Sequence, residues 1–247
     1  MNTPKQFGLI GKNISYSFSK KHFTEKFLKE NRIECLYENF DMNSIDEFPR
    51  LLQKNPNIKG LNVTIPYKES IIPYLQKLSK KAKKIGAVNV IRFTSNGKLK
   101  GYNSDYYGFK KSLEPLLESN HKKALILGTG GASKAIKYAL KELEIPFTVV
   151  SRTSSKKTIT YDQIDAKTIQ NHLIIINCTP LGTSPNTEAF PPIPYHYISP
   201  QHLVYDLIYN PEETVFLAKA KVQGALTKNG YEMLLLQAEK AWEIWNK

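Results

Sequence analysis

Lys68 follows a short strand with one polar face, and its position makes it a candidate catalytic or anion-binding residue. Residues 62–68 place the side chains of Asn62 and Thr64 on one strand face, and Pro66 ends the strand before Lys68. A lysine beyond a strand end, beside a pocket, could bind an anion or act as a general acid or base if burial lowers its pKa. The alternative is a surface lysine that opens a helix.

An aspartate lies in a second polar segment, residues 101–108, which leads into a predicted helix from Tyr106. Asp105 could be the N-cap of that helix, which is the most frequent role of an aspartate at such a position. It could instead be the carboxylate partner of Lys68. Sequence spacing does not decide between these two roles.

A glycine-rich turn in the middle of the chain carries a binding signal. An apolar run, residues 125–127, precedes it, and residues 135–140 have a helical pattern. A glycine turn between a strand and a helix brings backbone N–H groups and a helix N-terminus against a phosphate. The predicted cofactor-binding residues of this turn are Gly128, Thr129, Gly130, Gly131, Ala132 and Ser133. Ser133 stands at the third small position of the dinucleotide-binding pattern, where Gly or Ala is usual, and many glycine turns bind no ligand. The alternative is therefore a turn with a structural role only.

The turn after the next predicted strand indicates which dinucleotide would bind. Sheets specific for NAD usually place Asp or Glu about 20 residues past the glycine loop, where it accepts a hydrogen bond from the ribose 2′-OH. Here strand 147–150 is followed by Ser151, Arg152, Thr153 and Lys156, with no acidic residue among residues 151–156. Two cations and several hydroxyls suit a 2′-phosphate, so the sequence predicts NADP as the cofactor. A merely polar turn is the alternative.

Composition argues against several classes of protein. The net charge is +13, but only four basic residues are arginines and no zinc-finger, KH or RRM signature appears, so we expect no nucleic-acid partner. No apolar run approaches the ~20 residues of a membrane span, and the first residues lack the apolar stretch of a secretory signal. Cys35 and Cys178 lie far apart without metal-ligand spacing, which favours reduced core thiols, no metal site and a cytoplasmic location.

Strand-like and helix-like segments alternate along the chain, which is typical of α/β proteins. The predicted strands are residues 7–10, 33–40, 60–65, 88–93, 125–127, 147–150, 173–177 and 203–208. The predicted helices are residues 20–29, 45–53, 135–140 and 231–246, with another beginning at Tyr106; the proline-rich segment 184–200 is predicted to be an extended loop. We expect a first domain at 1–105 and a domain with a parallel, doubly wound sheet at 106–230. The C-terminal helix, 231–247, is expected to pack back against the first domain.

Taken together, these segments resemble the shikimate dehydrogenase family over nearly the whole chain. In the first part, residues 11–19, 62–68, 86–89 and 101–108 resemble family motifs. In the second part, the glycine loop and residues 151–153, 177–182, 205–211 and 229–237 do so in the same order. Several motifs in order are far more specific than any one of them.

The resemblance implies NADPH-dependent, reversible reduction of 3-dehydroshikimate to shikimate, a step in chorismate and aromatic amino acid biosynthesis. The implied fold is an N-terminal α/β substrate-binding domain and a Rossmann-like NADP-binding domain, with the active site in the cleft between them. The implied partner is the small-molecule substrate, and the protein is expected to be a monomer or a homodimer.

The resemblance also assigns roles to individual residues. Lys68 is the implied acid/base, and Asp105 positions it and binds a substrate hydroxyl. The implied ligands of the substrate carboxylate are Ser17, Ser19 and Tyr209, and those of the ring hydroxyls are Thr64, Asn89 and Gln237. Ile208 and Gly230 join the cofactor-binding set.

Departures from the family pattern are few, and none removes a residue that performs chemistry. They are Asn13, Tyr16, Lys20, Lys80, Ser151 and Thr183. Two alternatives remain: a quinate and shikimate dehydrogenase that uses NAD, and a catalytically silent nucleotide-sensing or nucleic-acid-binding relative.

Overall fold

The computed structural model of the protein describes residues 4–15 and 17–247. Tyr16, one of the departures from the family pattern, and the first three residues of the predicted non-secretory start lie outside the described residues. The chain forms two compact units. One comprises the residues up to Ser104 together with Ala238–Lys247, and the other is Asp105–Gln237. Each unit combines helices with one β-sheet, so the predicted two-domain α/β fold is confirmed.

The first unit is built on a mixed sheet. Its strands are β1 (Lys5–Gly11), β2 (Cys35–Asp41), β3 (Ile58–Val63), β4 (Lys77–Leu78), β5 (Val90–Phe93) and β6 (Leu99–Tyr102). Its helices are α1 (Phe18–Lys29), α2 (Phe48–Lys54) and α3 (Lys80–Ile85). The strand order is β2-β1-β3-β5-β6-β4, with β1 parallel to β2 and β3, and β5 antiparallel to β3 and β6. The carboxyl ends of β1, β3 and β6 and the amino end of β5 therefore lie at the same edge.

The second unit is built on a parallel sheet. Its strands are β7 (Ala124–Leu127), β8 (Phe147–Ser151), β9 (Ile159–Thr160), β10 (Ile174–Asn177), β11 (Leu203–Asp206) and β12 (Leu226–Lys228). Its helices are α4 (Asp105–Leu113), α5 (Gly131–Glu142), α6 (Ala166–Asn171), α7 (Val215–Val222) and the first part of α8 (Tyr231–Trp245). The order is β12-β11-β10-β7-β8-β9 with every neighbouring pair parallel, as predicted. Every residue of β7 and β10 is buried, which is expected of central strands covered on both faces.

The C-terminal part of α8 completes the core of the first unit. The rings of Trp242 and Trp245 lie 5.3 and 5.1 Å from that of Phe7 on β1, and both also pack against α1. The indole N–H of Trp245 donates a 3.0 Å hydrogen bond to the Ile91 carbonyl of β5. The predicted return of the C-terminal helix to the first domain is confirmed for these residues.

The structure corrects several predicted elements. Strand 33–40 begins only at Cys35, because the N–H of Cys35 closes a turn onto the Arg32 carbonyl. Strand 203–208 ends at Asp206, because the Ile208 N–H turns to the Asp206 carboxylate instead of extending the ladder. Strand β6 was missed because it contains Gly101, a residue that weakens strand patterns. A side chain there would lie within 2.8 Å of Leu75 and neighbouring side chains, which explains the glycine.

Predicted strand 60–65 is Ile58–Val63, predicted strand 88–93 begins only at Val90, and predicted helix 45–53 is a 3₁₀ turn, Ile45–Glu47, followed by α2. Segment 184–200 is a loop that contains one 3₁₀ turn, Tyr195–Tyr197. Helices α6 and α7 fill stretches that the sequence left unassigned. None of the helices in the described part of the chain combines the length and apolar character needed to cross a membrane.

Candidate active site

Backbone hydrogen bonds bring the predicted site segments of the first unit together at one edge of its sheet. The Thr64 N–H donates to the Ile10 carbonyl of β1 at 2.9 Å. The Val88 N–H donates to the Lys68 carbonyl at 2.7 Å, which fixes the backbone of Lys68 beside the segment that carries Asn89. Lys68 and Thr64 are half-buried and Asn89 is buried. The backbone segments that carry these three predicted residues therefore lie at the same edge of the sheet.

Gly11 makes room for Thr64. A Cβ at Gly11 would lie 2.5 Å from the Thr64 methyl group and 3.3 Å from the Ile65 carbonyl. No ordinary side chain tolerates such contacts, so glycine permits the two loops to meet.

Polar side chains lie between the two serines and the sheet. Ser17 is the N-cap of α1, and its Oγ accepts the Ser19 N–H at 3.2 Å. The Ser19 hydroxyl lies near the phenol of Tyr37, whose pKa is raised by burial. The Tyr37 hydroxyl donates to Asn62 Oδ1 at 2.8 Å, and Asn62 Nδ2 donates to the Asn89 carbonyl at 3.3 Å. Sequence reasoning missed Tyr37; its only signal was a buried-face position on a strand.

The side chain of Asn89 is held by Ser104, the residue before Asp105. Its Nδ2 donates to the Ser104 hydroxyl at 3.0 Å, and its Oδ1 accepts the Ser104 N–H at 2.6 Å. Asp105 itself is the first residue of α4 in the second unit and is 3% exposed. A carboxylate in the first turn of a helix is stabilised by the helix dipole.

Close backbone contacts fix the positions of other predicted site residues in the second unit. A Cβ at Gly108 would lie 2.5 Å from the Met233 carbonyl and 3.1 Å from the Gln237 nitrogen, so α4 and the Gln237 turn of α8 are in direct contact. The Gly230 N–H donates to the Ile208 carbonyl at 2.9 Å. Ile208 is buried, and Tyr209 after it is half-buried.

The glycine loop has the geometry of an anion cradle. Gly128 has φ +104°, a left-handed conformation that favours glycine. Gly130 is the N-cap of α5 without a side-chain cap, and a Cβ there would meet nothing within 4 Å. Thr129 and Gly130 are exposed, whereas the buried Ser133 hydroxyl donates to the Gly130 carbonyl at 2.7 Å. The uncapped N–H groups and the open space fit a phosphate.

The turn after β8 exposes two cations. Arg152, Thr153 and Lys156 are exposed, and neither cation pairs with a carboxylate in the part of the chain that the structure describes. The next acidic residue, Asp162, is hydrogen-bonded to Thr160, which lowers its pKa. No acid is thus placed on this turn, and the residues present fit a 2′-phosphate better than a free 2′-OH.

Helix α5 adds positive charge near this turn. Burial, followed by the charge of Lys134, lowers the pKa of Lys137, and Lys141 and Lys157 act in the same direction. Clustered lysines of this kind attract anionic ligands. Among the residues that the structure describes, no group of His, Cys, Asp and Glu could hold a metal ion.

Comparisons with known proteins identify the family of the chain. Residues 9–91 match the family model described as the shikimate dehydrogenase substrate binding domain. A shikimate dehydrogenase (NADP(+)) of Clostridium botulinum strain Hall is 42% identical, and the alignment covers 96% of this chain and 95% of that protein.

The chain belongs to the shikimate dehydrogenase family.

Solved structures of shikimate dehydrogenases share the fold of the whole chain. One in complex with NADP⁺ has a TM-score of 0.87 at 32% identity, covering 98% of this chain and 90% of that one. A shikimate 5-dehydrogenase of Listeria monocytogenes, in complex with shikimate and NAD, has a TM-score of 0.86 at 29% identity, covering 100% and 93%. These likenesses confirm the predicted family and the two-domain fold.

Proposed function

We propose that the protein catalyses the NADPH-dependent, reversible reduction of 3-dehydroshikimate to shikimate, within aromatic amino acid biosynthesis. One observation carries the proposal. The chain is 42% identical to a shikimate dehydrogenase (NADP(+)) over 96% of its length, and it has a lysine, serines, a threonine and an asparagine at one sheet edge. Those side chains supply the donors and the proton-transfer group that such a substrate requires.

In this proposal the first unit binds the substrate. Ser17 and Ser19, with Tyr209 of the second unit, donate to the substrate carboxylate, and such charge-assisted bonds are stronger than neutral ones. Thr64, Asn89 and Gln237 bind the ring hydroxyls. The two serines are held close together, because the Ser17 Oγ accepts the Ser19 N–H at 3.2 Å before any substrate binds.

Lys68 and Asp105 are the proposed catalytic residues. When bound, NADPH supplies the hydride that reaches the carbonyl carbon of the substrate. Lys68 gives a proton to the carbonyl oxygen and takes it back in the reverse reaction. Asp105 positions Lys68 and accepts a hydrogen bond from a substrate hydroxyl. The amide of Asn89 is oriented by Ser104, so a substrate hydroxyl meets a fixed partner.

The second unit is proposed to hold NADP. The glycine loop, Gly128 to Ser133, takes the pyrophosphate at the N-terminus of α5. Ser151, Arg152, Thr153 and Lys156 take the 2′-phosphate, while Ile208 and Gly230 border the nicotinamide. The exposed cations without acidic partners support NADP over NAD. The domain roles, 1–105 for substrate and 106–230 for cofactor, belong to the same proposal, as do a cytoplasmic location and a monomeric or homodimeric state.

The test is an absorbance assay of purified protein at the band of reduced nicotinamide. We expect oxidation of shikimate with NADP, with a larger kcat/KM than for quinate or for NAD. A larger kcat/KM for quinate with NAD would establish the alternative quinate dehydrogenase. No turnover with either acid and either cofactor would favour the silent nucleotide-binding relative.

A further inference from the structure

A buried carboxylate at the end of β11 has no role in the proposed function. Asp206 is 0% exposed, and its Oδ1 accepts hydrogen bonds from Asn177 Nδ2 and from the Ile208 N–H, both at 3.0 Å. Its Oδ2 accepts from the Thr214 hydroxyl at 2.6 Å. In the described part of the chain no lysine or arginine pairs with it. Burial raises the pKa of Asp206 to about 6, against the lowering effect of these three hydrogen bonds.

The hydrogen bonds of Asn177 carry the contact into the loop that follows β10. Asn177 Oδ1 accepts the Thr179 N–H at 2.9 Å and the Thr179 hydroxyl at 2.7 Å. The Thr179 hydroxyl in turn accepts the Leu181 N–H at 3.3 Å. Asn177, like Asp206, is fully buried, so every donor lost here would leave an unsatisfied polar group.

The network therefore joins two loops at one edge of the sheet. Asp206 is hydrogen-bonded directly to Ile208 after β11, and through Asn177 it is linked to Thr179 after β10. The loops also meet through a 3.3 Å bond from the Ser184 N–H to the Asn210 carbonyl. Thr179 lies against the glycine loop, since a Cβ at Gly128 would be 2.9 Å from its methyl group.

Sheet topology indicates which part of a dinucleotide these loops face. Strand β7 carries the glycine loop, and β8 and β9 lie on the side that holds Arg152. Strands β10 and β11 lie on the other side. Because a dinucleotide lies across the carboxyl ends of such a sheet, the loops after β10 and β11 border its nicotinamide half.

We propose that Asp206 is a positioning residue for the nicotinamide half of the cofactor, acting through Asn177 and the Ile208 N–H on the loops after β10 and β11. The inference rests on the proposed dehydrogenase function. It assigns Asp206 no contact with the substrate and no proton transfer. Its effect is to hold Ile208 and Thr179 in one arrangement before the cofactor binds.

The test compares Asp206→Ala, Asp206→Asn and a matched control, Tyr205→Phe. Tyr205 neighbours Asp206 on β11, is equally buried, and its hydroxyl bonds Ser112 at 2.7 Å instead of the loops. Asn at 206 can still accept from Asn177 and Ile208 while donating to the Thr214 oxygen, so it should restore most of what Ala removes.

We expect three results for Asp206→Ala. Proton exchange of the Thr179 and Ile208 amides, followed by NMR in the free protein, should accelerate by at least about tenfold. Turnover per folded molecule should fall by about 10²-fold, the scale of a reactant misplaced by about 1 Å, with a larger kinetic isotope effect from deuterated NADPH. NADP should bind more weakly, whereas adenosine 2′,5′-bisphosphate, which lacks the nicotinamide half, should bind as in the wild type. Tyr205→Phe should change none of these.

Unchanged amide exchange in Asp206→Ala, or a turnover loss equal to that of Tyr205→Phe, would overturn the inference. If Asp206→Ala does not fold, Thr179→Val decides, because it removes only the half-exposed end of the network; about a tenfold loss in turnover is then expected. If the wild type oxidises no shikimate, the proposed function fails. The inference is then decided by two other measurements on Asp206→Ala: the exchange rates of the Thr179 and Ile208 amides, and the loss of NADP affinity compared with that of adenosine 2′,5′-bisphosphate.

Discussion

At the scale of single residues, the sequence predicted types and positions but not the partners that orient them. Lys68, Thr64 and Asn89 could be named from motifs, and the structure brings the segments that carry them to one edge of the sheet. Tyr37 could not be named, because a tyrosine alternating with exposed residues on a strand looks like any core residue. Its hydrogen bond to Asn62 and its position near Ser19 depend on tertiary packing, which spacing along the chain does not encode.

The first prediction concerns Lys68. If it transfers the proton, Lys68→Ala should lower kcat by about 10²–10⁴-fold, the usual range for general acid–base catalysis. The KM for shikimate should change much less, because the substrate keeps its carboxylate and hydroxyl ligands. Steady-state kinetics give both values. A variant with near-normal kcat and a strongly raised KM would reduce Lys68 to an anion ligand.

The second prediction concerns Arg152. Loss of its bond to a 2′-phosphate should cost about 1.5–3 kcal/mol, or roughly 10–150-fold in NADP affinity. The affinity for NAD, which lacks that phosphate, should fall far less. Titrations with both cofactors measure the two losses, and Arg50→Ala, an exposed arginine of the first unit, is the control. Equal losses for NADP and NAD would show that Arg152 holds only the adenine or the loop.

At the scale of elements, strands with a strong apolar pattern were predictable, whereas those that depend on their neighbours were not. β7 and β10 are buried at every position and appeared in the sequence as apolar runs. β6 contains a glycine that only its packing against Leu75 explains, and the end of β11 is set by the side chain of Asp206. Local sequence patterns do not reveal strand limits that depend on tertiary packing.

The third prediction separates two glycines by what surrounds them. At Gly130 a Cβ meets nothing within 4 Å and φ is −63°, so Gly130→Ala should leave the unfolding free energy of the free protein nearly unchanged. The added methyl group would occupy the space of the pyrophosphate, so NADP affinity should fall by at least about tenfold.

Gly108→Ala is the contrasting variant. There a Cβ would lie 2.5 Å from the Met233 carbonyl, so the protein should lose about 1–3 kcal/mol of stability. Denaturant unfolding without cofactor and calorimetric titration with NADP separate the two effects. Wild-type NADP affinity in Gly130→Ala would remove the glycine loop from the proposed cofactor site.

At the scale of the whole molecule, the alternation of strands and helices predicted two α/β domains, and the structure has them. The C-terminal helix was expected to pack against the first domain, and the second half of α8 does so. Trp242 and Trp245 complete the aromatic core of the first unit, although the helix begins in the second. The buried histidines were the least predictable features, because histidines are spread along the sequence without a pattern that marks the buried ones.

The fourth prediction is a pH dependence of stability from two of those histidines. Burial lowers the pKa of His172 and of His202, which are 4% and 1% exposed. The neutral ring of His202 accepts the Ser199 N–H at 3.0 Å and donates to the Ile169 carbonyl at 3.1 Å, and burial of the ring disfavours a second, charged proton. Since both folded pKa values lie below the unfolded one of about 6.5, this stability is complete above that pH and is lost as pH falls through the folded values.

Urea unfolding between pH 7.5 and 5.5 measures the effect. The unfolding free energy of His202→Gln should fall less steeply with decreasing pH than that of the wild type, whereas His196→Gln, at an exposed position, should keep the wild-type slope. Differences between variants cancel the opposite contribution of Asp206, whose pKa is raised. Identical slopes for all three proteins would refute the prediction.

The central claim is that a hydride passes from a nicotinamide to the carbonyl carbon of 3-dehydroshikimate on this protein. Reduction of 3-dehydroshikimate with NADPH that is deuterated at the transferable position, followed by NMR of the product, tests it most directly. The account predicts shikimate with deuterium on the carbon that bears the new hydroxyl, formed by the wild type and strongly slowed in Lys68→Ala. A wild-type protein that yields no labelled shikimate would contradict it.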